Sequence, residues 1–223
     1  MIKELITHNN PKSIISETIK TVRTNLLFSS IDSDVKTLLI TSSIPSEGKS
    51  FIASNLATAF AQTKQKVLLV DCDMRKGRLH KIFKVENDKG ISNLLVDSNT
   101  IKLKPYVKKT DVPNVNLISI GTIPPNPNEL LGSEKFNEFL EVAKKEYDLV
   151  IFDSAPVSIV SDALILAKKV DRTIIVAAYR KTPMNELENT KKQILNVGGK
   201  IAGVVVNKKK TNKKEYYNKY YNM

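Results

Sequence analysis

Apolar residues along the chain fall into two alternating patterns. Short continuous runs mark strands, and longer stretches with apolar residues three and four apart mark helices. Residues 66–70 and 148–153 each contain a continuous apolar run, closed by Asp71 and Asp153, the type of strand that is buried on both faces of a parallel sheet. Further strands are predicted at 36–41, 115–120, 172–178 and 200–206. A helix is predicted from Ser13, with Ile15, Ile19, Val22, Leu26 and Leu27 as its apolar side, and others at 49–64, 133–147, 162–169 and 184–197. Short helices are expected at 79–83 and 91–96. Residues 1–12 read as an irregular arm ending at Pro11, and the run from Gly121 to Pro127 as an extended turn, because no helix passes through its prolines. Strands alternating with helices predict an α/β fold, a mostly parallel sheet with helices on both faces.

Length and composition narrow the class. At 223 residues the chain suits one α/β domain, placed at 1–207 with its N-terminal arm and helix, and a flexible Lys/Tyr-rich tail at 208–223. A single cysteine, Cys72, excludes a disulfide framework and suits a reducing compartment, so a cytoplasmic location is expected. The first residues lack the apolar core of a signal peptide. The stretch 149–167 is interrupted by Asp153 and Asp162, so no membrane span is expected. A net charge of +12 invites a nucleic-acid or anionic-lipid partner, but six of the lysines lie between Lys208 and Lys219, in the tail.

The candidate chemistry sits where strands end. After the first strand come Ser43-Ile44-Pro45-Ser46-Glu47-Gly48-Lys49-Ser50, and a helical pattern starts at once. In a phosphate-binding loop the backbone N–H groups and the helix N-terminus converge on one spot, a lysine reaches the β- and γ-phosphates, and a hydroxyl ligates Mg²⁺. Lys49 and Ser50 occupy those positions, although Ser43 stands where the general pattern has glycine. Asp71-Cys72-Asp73-Met74-Arg75 ends the second strand, and Asp153 ends another. Charge at the end of a buried strand is costly unless it is paired or binds a metal. The bland alternatives are an ordinary helix N-terminus, a turn with a surface ion pair, and a capping acid. In an open parallel sheet, however, the loops at the carboxyl ends of the strands share one edge. Three such loops then make one site for phosphates, Mg²⁺ and a proton acceptor, which is most of what phosphoryl transfer requires.

These residues together resemble the bacterial tyrosine kinases of capsule and exopolysaccharide systems, and the resemblance runs nearly the whole chain. Residues 41–50 resemble that family's Walker A loop, with Ser46 in place of a glycine. Residues 70–75 are similar to its D-x-D-x-R element, residues 151–156 to its Walker B element, and 124–131 to a further family segment. Glu17, Lys20 and Arg23, at i, i+3 and i+6 on one helix face, resemble the family's assembly motif with Lys20 replacing an arginine; a solvated charged face is the alternative. The resemblance implies a P-loop NTPase-like fold related to Min and Par ATPases, with ATP/ADP and Mg²⁺ as cofactors. It implies ATP contacts from Ser43, Ser46, Glu47, Gly48, Lys49, Ser50, Phe51 and Asn207. Catalysis would fall to Lys49, Asp71, Asp73 and Asp153, and the metal shell to Ser50, Asp73 and Asp153. Further implications are a homo-oligomeric ring, a separate transmembrane activator polypeptide that recruits the chain to the inner face of the membrane, and control of polysaccharide synthesis and export.

Four of the seven tyrosines, Tyr216, Tyr217, Tyr220 and Tyr221, lie in the last eight residues and resemble the family's phosphoacceptor cluster. Two other readings stand beside the kinase. A Min- or Par-type regulatory ATPase would carry a lysine early in the loop, where this chain has Ile44. A basic module for nucleic acid or lipid would bind with steep salt dependence and no need for ATP; no nucleic-acid partner is expected if the kinase reading holds.

Overall fold

The computed structural model describes residues 4–28, 35–97 and 100–210. One seven-stranded sheet organises them, in the order β3-β4-β2-β5-β1-β6-β7. The strands are β1 (Thr37–Ser42), β2 (Val67–Asp71), β3 (Lys108–Lys109), β4 (Val115–Ile118), β5 (Leu149–Asp153), β6 (Arg172–Ala178) and β7 (Ile201–Asn207). Every pairing is parallel except that of β3, a two-residue antiparallel edge that the apolar pattern did not predict, because half-exposed lysines carry no hydrophobic signal.

The helices are α1 (Ile6–Asn9), α2 (Ile14–Phe28), α3 (Lys49–Ala61), α4 (Leu79–Phe83), α5 (Ile91–Val96), α6 (Pro127–Gly132), α7 (Glu134–Glu146), α8 (Asp162–Lys169) and α9 (Met184–Asn196). Side chains alternate across each strand. Val67, Leu69, Leu149 and Ile151 therefore pack on one face with α1–α4, while Leu68, Val70, Val150 and Phe152 pack on the other with α5–α9. Phe152 meets Phe136 and Phe139 of α7 at ring-centroid distances of 5.9 and 6.4 Å. Each such fully buried aliphatic or aromatic side chain is worth roughly 1.5–3 kcal/mol against exposure. Among the described residues no helix is long and apolar enough to cross a membrane.

Three expectations need correction. The arm before Pro11 contains a short helix, because Asn55 of α3 accepts from the Thr7 backbone N–H at 2.9 Å and donates to the Glu4 carbonyl at 2.8 Å. Of the predicted apolar side of α2 only Ile19 is buried, with Val22 and Leu26 packed beside it; Ile15 and Leu27 face out at 42% and 51% exposure. The prolines before residue 128 end in a helix start, since Pro127 takes the first position of α6, where its missing N–H costs nothing. Elsewhere the boundaries agree with the pattern to within a few residues. Ser133 caps α7, accepting from the Phe136 N–H at 3.3 Å.

Candidate active site

The order of the strands assembles the site. β1 lies between β5 and β6, and β2 pairs with β5, so the loops after β1, β2 and β5 open on one edge. Backbone bonds stitch them together. The Ser154 N–H donates to the Ile40 carbonyl at 3.2 Å, Val157 to Ser42 at 2.9 Å, Ser158 to Ser43 at 3.1 Å, and Cys72 to Asp153 at 2.8 Å. The Thr41 hydroxyl adds a bond to the Ala155 carbonyl at 3.0 Å. Between the loops lies a cleft of about 670 Å³, whose lining includes Ser46, Gly48, Lys49, Ser50, Phe51, Asp73, Arg75, Pro156 and Asn207.

The loop after β1 is held from inside. Glu47 is 1% exposed, and its carboxylate accepts from the Ile44 N–H at 2.9 Å, the Ala178 N–H at 3.2 Å and the Thr182 hydroxyl. Buried charge is tolerated on such terms, with both oxygens satisfied. Glu47 was expected among the ATP contacts, but its side chain braces the loop against β6 and does not line the cleft. Ser43, also expected there, is wholly buried behind the loop. Gly48 opens α3 at φ +100, and a Cβ there would stand 2.1 Å from Asn207 Nδ2, which itself donates to the Glu47 carbonyl at 2.9 Å. Only glycine satisfies both conditions. The first turn of α3 has no side-chain cap, so its N–H groups are left for a ligand.

The three acids differ in exposure. Asp73 lines the cleft, and its carboxylate accepts from the Lys76 N–H at 3.0 Å. Asp71 is wholly buried beneath it, with Oδ2 accepting from the Leu79 N–H at 2.9 Å and Oδ1 without a partner. Gly77 makes room for that carboxylate: a Cβ there would lie 2.6 Å from both Asp71 oxygens. Asp153 is 1% exposed and neither of its oxygens has a hydrogen-bond partner. Burial first, and then the neighbouring Asp153 carboxylate, push Asp71 well above the usual carboxylate range. Burial likewise pushes Asp153 up to about 7, although the Ser50 hydroxyl, short of full hydrogen-bond geometry, and the Lys49 ammonium pull it back. Burial, and after it the surrounding carboxylates, push the Cys72 thiol up, so this cysteine is an unreactive core residue.

Among the described residues no group of three or more His, Cys, Asp or Glu side chains could hold a metal alone. The donors present fit Mg²⁺, which keeps water and shares phosphate oxygens in place of an all-protein cage. An unsatisfied, buried Asp153 carboxylate beside the Ser50 hydroxyl is the observation that makes the fit.

Other expected residues behave differently. Glu17 and Lys20 pair at 2.8 Å on the surface of α2, and Lys20 also donates to the Pro11 carbonyl at 2.8 Å. Arg23 turns inward instead, donating from Nη1 to the Ala59 carbonyl of α3 at 2.7 Å, so the three do not form one free face. Tyr216, Tyr217, Tyr220 and Tyr221 lie outside the described residues. Sequence reasoning missed Arg78, which lines the cleft paired with Glu4, and Asp162, which holds Arg75 at 3.4 Å. The basic run Arg75-Lys76-Gly77-Arg78 beside two acids was the available signal for the first; nothing local marked Asp162 as more than a helix-start acid.

Residues 35–202 match the family described as AAA domain. Over 220 residues the chain is 37% identical to the tyrosine-protein kinase YwqD of Bacillus subtilis, covering 99% of this chain and 92% of that protein. It is 36% identical to the tyrosine-protein kinase wzc of Salmonella typhi, covering 92% of this chain but 28% of that longer protein. The crystal structure of the chimerical protein CapA2B2 superposes with a TM-score of 0.89 at 37% identity, covering 94% of this chain and 91% of that one. The Pyrococcus furiosus cell division ATPase MinD, at 20% identity and a TM-score of 0.64, shares the fold alone. The chain belongs to the bacterial tyrosine-protein kinases, has their P-loop NTPase-like fold, and is a protein-tyrosine kinase.

Proposed function

We propose that this kinase holds Mg-ATP in the cleft at the carboxyl edge of its sheet and transfers the γ-phosphoryl group to C-terminal tyrosines of a neighbouring subunit. One observation carries the reading: Lys49, Ser50 and Asp73 line a single cleft, with unsatisfied Asp153 and Asp71 directly behind it. Lys49 would neutralise the β- and γ-phosphates, and the N–H groups of the first α3 turn would bind their oxygens. Mg²⁺ would be held by the Ser50 hydroxyl, with Asp73 and Asp153 bound to it directly or through water, and would supply charge neutralisation on the phosphates. Asp71 would accept the phenol proton. Phe51 and Asn207 would contact the rest of the nucleotide, and Ser46 and Gly48 its phosphates through their backbone. Glu47 would act behind the loop and Ser43 beneath it.

The acceptor is the tail. Asn207 ends β7 on the cleft edge, so residues 208–223 start beside the site. From Asn207 to Tyr220 an extended chain spans up to roughly 45 Å at about 3.4 Å per residue, enough for its own cleft or a neighbour's. The tail's lysines carry like charge and its sequence offers little apolar surface for a core, a composition that suits a kinase substrate. Each phosphate adds about −1.5 to −2, so phosphates on several of the four tyrosines would together reverse the tail's sign. A ring built partly through Glu17 and Lys20 would bring each tail to the next cleft. The activating transmembrane segment would be a separate polypeptide holding the kinase at the inner membrane face, and the output would be control of capsule or exopolysaccharide synthesis and export. The likeness to the chimerical protein CapA2B2 supports a partner for this kinase.

A mass spectrum of the full chain after incubation with Mg-ATP and an activator peptide tests the reading. Phosphate should appear on Tyr216, Tyr217, Tyr220 and Tyr221, and Lys49→Met should abolish it. A chain with all four changed to Phe should bind ATP but lose most of the modification; uptake at the wild-type level would exclude the tail as acceptor.

A further inference from the structure

Arg75 follows the two acids of the β2 loop and lines the cleft, with its side chain 41% exposed. Its guanidinium is held on two sides. Nε donates to Asp162 Oδ2 at 3.4 Å, and Nη2 donates to Asn128 Oδ1 at 3.2 Å. Asn128 is itself steadied by donating from Nδ2 to the Ser161 hydroxyl at 2.8 Å. The arginine is thus tied to α6 and to the start of α8, two elements distant from it in sequence.

Asp162 is an unusual holder. Its side chain is fully buried, one oxygen meets Arg75, and Oδ1 has no partner at all. A structural ion pair in such a place ordinarily satisfies its remaining lone pairs, since desolvation otherwise outweighs the attraction. The pair is poorly arranged for stability, yet it fixes the direction of a cleft-facing cation. A planar guanidinium gripped at Nε and Nη2 has one edge left, and a lysine could not be held in this way.

We propose that Asp162 and Asn128 are positioning residues that aim the Arg75 guanidinium at the phosphoryl group in transfer. The inference rests on the reading that nucleotide phosphates occupy the cleft. In the reaction the bond from the γ-phosphorus to the bridging oxygen of ADP breaks, a bond to the phenol oxygen forms, and the phenol proton leaves to a carboxylate. Arg75 forms no bond. It meets negative charge spread over the transferring oxygens, the contribution that preorganised donors make most strongly in the transition state. Asp162 and Asn128 touch no substrate and act through Arg75 alone.

The test uses the full chain. Initial rates of tyrosine phosphorylation are measured against ATP concentration for Asp162→Asn, Arg75→Lys, the double variant and Asn128→Ala, with thermal melting and titration of a fluorescent ADP analogue alongside. Asp162→Asn and Arg75→Lys should each lower the maximal rate by about tenfold or more, leave the KM for ATP within about twofold, and still bind the ADP analogue. The double variant should be no slower than Arg75→Lys, because one residue works through the other. A normal maximal rate in Asp162→Asn, or losses that multiply in the double variant, would overturn the proposal. Should Asp162→Asn fail to fold, half-buried Asn128 decides: its alanine variant must lower the maximal rate without raising KM, and a wild-type rate refutes the idea. If the wild type does not bind the ADP analogue, or Lys49→Met binds it equally well, the placement of the nucleotide fails, and the inference with it.

Discussion

Asp71 and Asp153 are register partners at the ends of two adjacent parallel strands, and between them three of four carboxylate oxygens lack a hydrogen-bond partner. Burial first, and neighbouring carboxylates after it, raise the pKa of both and favour their protonation. An unfolded aspartate titrates near 3.9. Because the folded values lie higher, the native state holds more protons, and the ligand-free protein loses stability as pH rises from about 4 through about 7, by at most about 1.4 kcal/mol per pH unit for each proton. Asp153→Asn removes one of the two titrations. The melting temperature of the variant minus that of wild type should therefore grow with pH across this window and level off above it. A difference that does not vary with pH would show that Asp153 ionises freely in the fold.

Gly48 and Asn207 pack so closely that no side chain fits between them. Gly48→Ala should keep its far-UV circular dichroism and lose nucleotide affinity by about tenfold or more, since left-handed backbone and steric contact each cost a kcal/mol or so. Adding Asn207→Ala relieves the contact but leaves φ +100 unchanged and removes a proposed nucleotide contact, so recovery should be incomplete. Full recovery in a fluorescent nucleotide titration would assign the whole effect to the clash.

Ser46 adopts φ 64, the left-handed region, at the position where related loops carry glycine. Its carbonyl accepts from the Lys208 ammonium, a contact that a glycine keeps. Ser46→Gly relieves roughly 1–2 kcal/mol of backbone strain and returns up to about 1 kcal/mol as unfolded-chain entropy. The variant should be as stable as wild type or up to about 2 kcal/mol more stable in denaturant unfolding. A clear loss of stability would mean that the serine hydroxyl has a role in the loop.

Arg23 and Lys20 lie on one helix but answer different questions. Arg23→Ala removes a bond to the Ala59 carbonyl and should cost about 1–2 kcal/mol of monomer stability. Glu17→Ala with Lys20→Ala disturbs a surface pair and should stay within about 1 kcal/mol of wild type. Assembly is therefore best tested with the second pair: light scattering should give a smaller mass at an unchanged melting temperature. The wild-type mass in that variant would remove these two residues from the subunit contact.

What the sequence determined by itself was whatever local periodicity and strand-end chemistry can carry. Continuous apolar runs such as those within 66–70 and 148–153 have one low-energy use, as central strands, and the acids closing them mark the sheet edge where ligands gather. Gly48, Lys49 and Ser50 marked the junction of β1 and α3 in the same way. Tertiary structure alone decided which side chains face the cleft. Glu47 sits among cleft residues in sequence, yet the Ala178 N–H and the Thr182 hydroxyl, more than 130 residues away, turn it inward. Arg23 matched a surface motif, and a carbonyl of α3 drew it in. Asp162 looked like a helix-start acid until Arg75, 87 residues earlier, closed on it across the cleft. A buried charge takes whatever partner the fold delivers, and that partner lies beyond the reach of any local pattern.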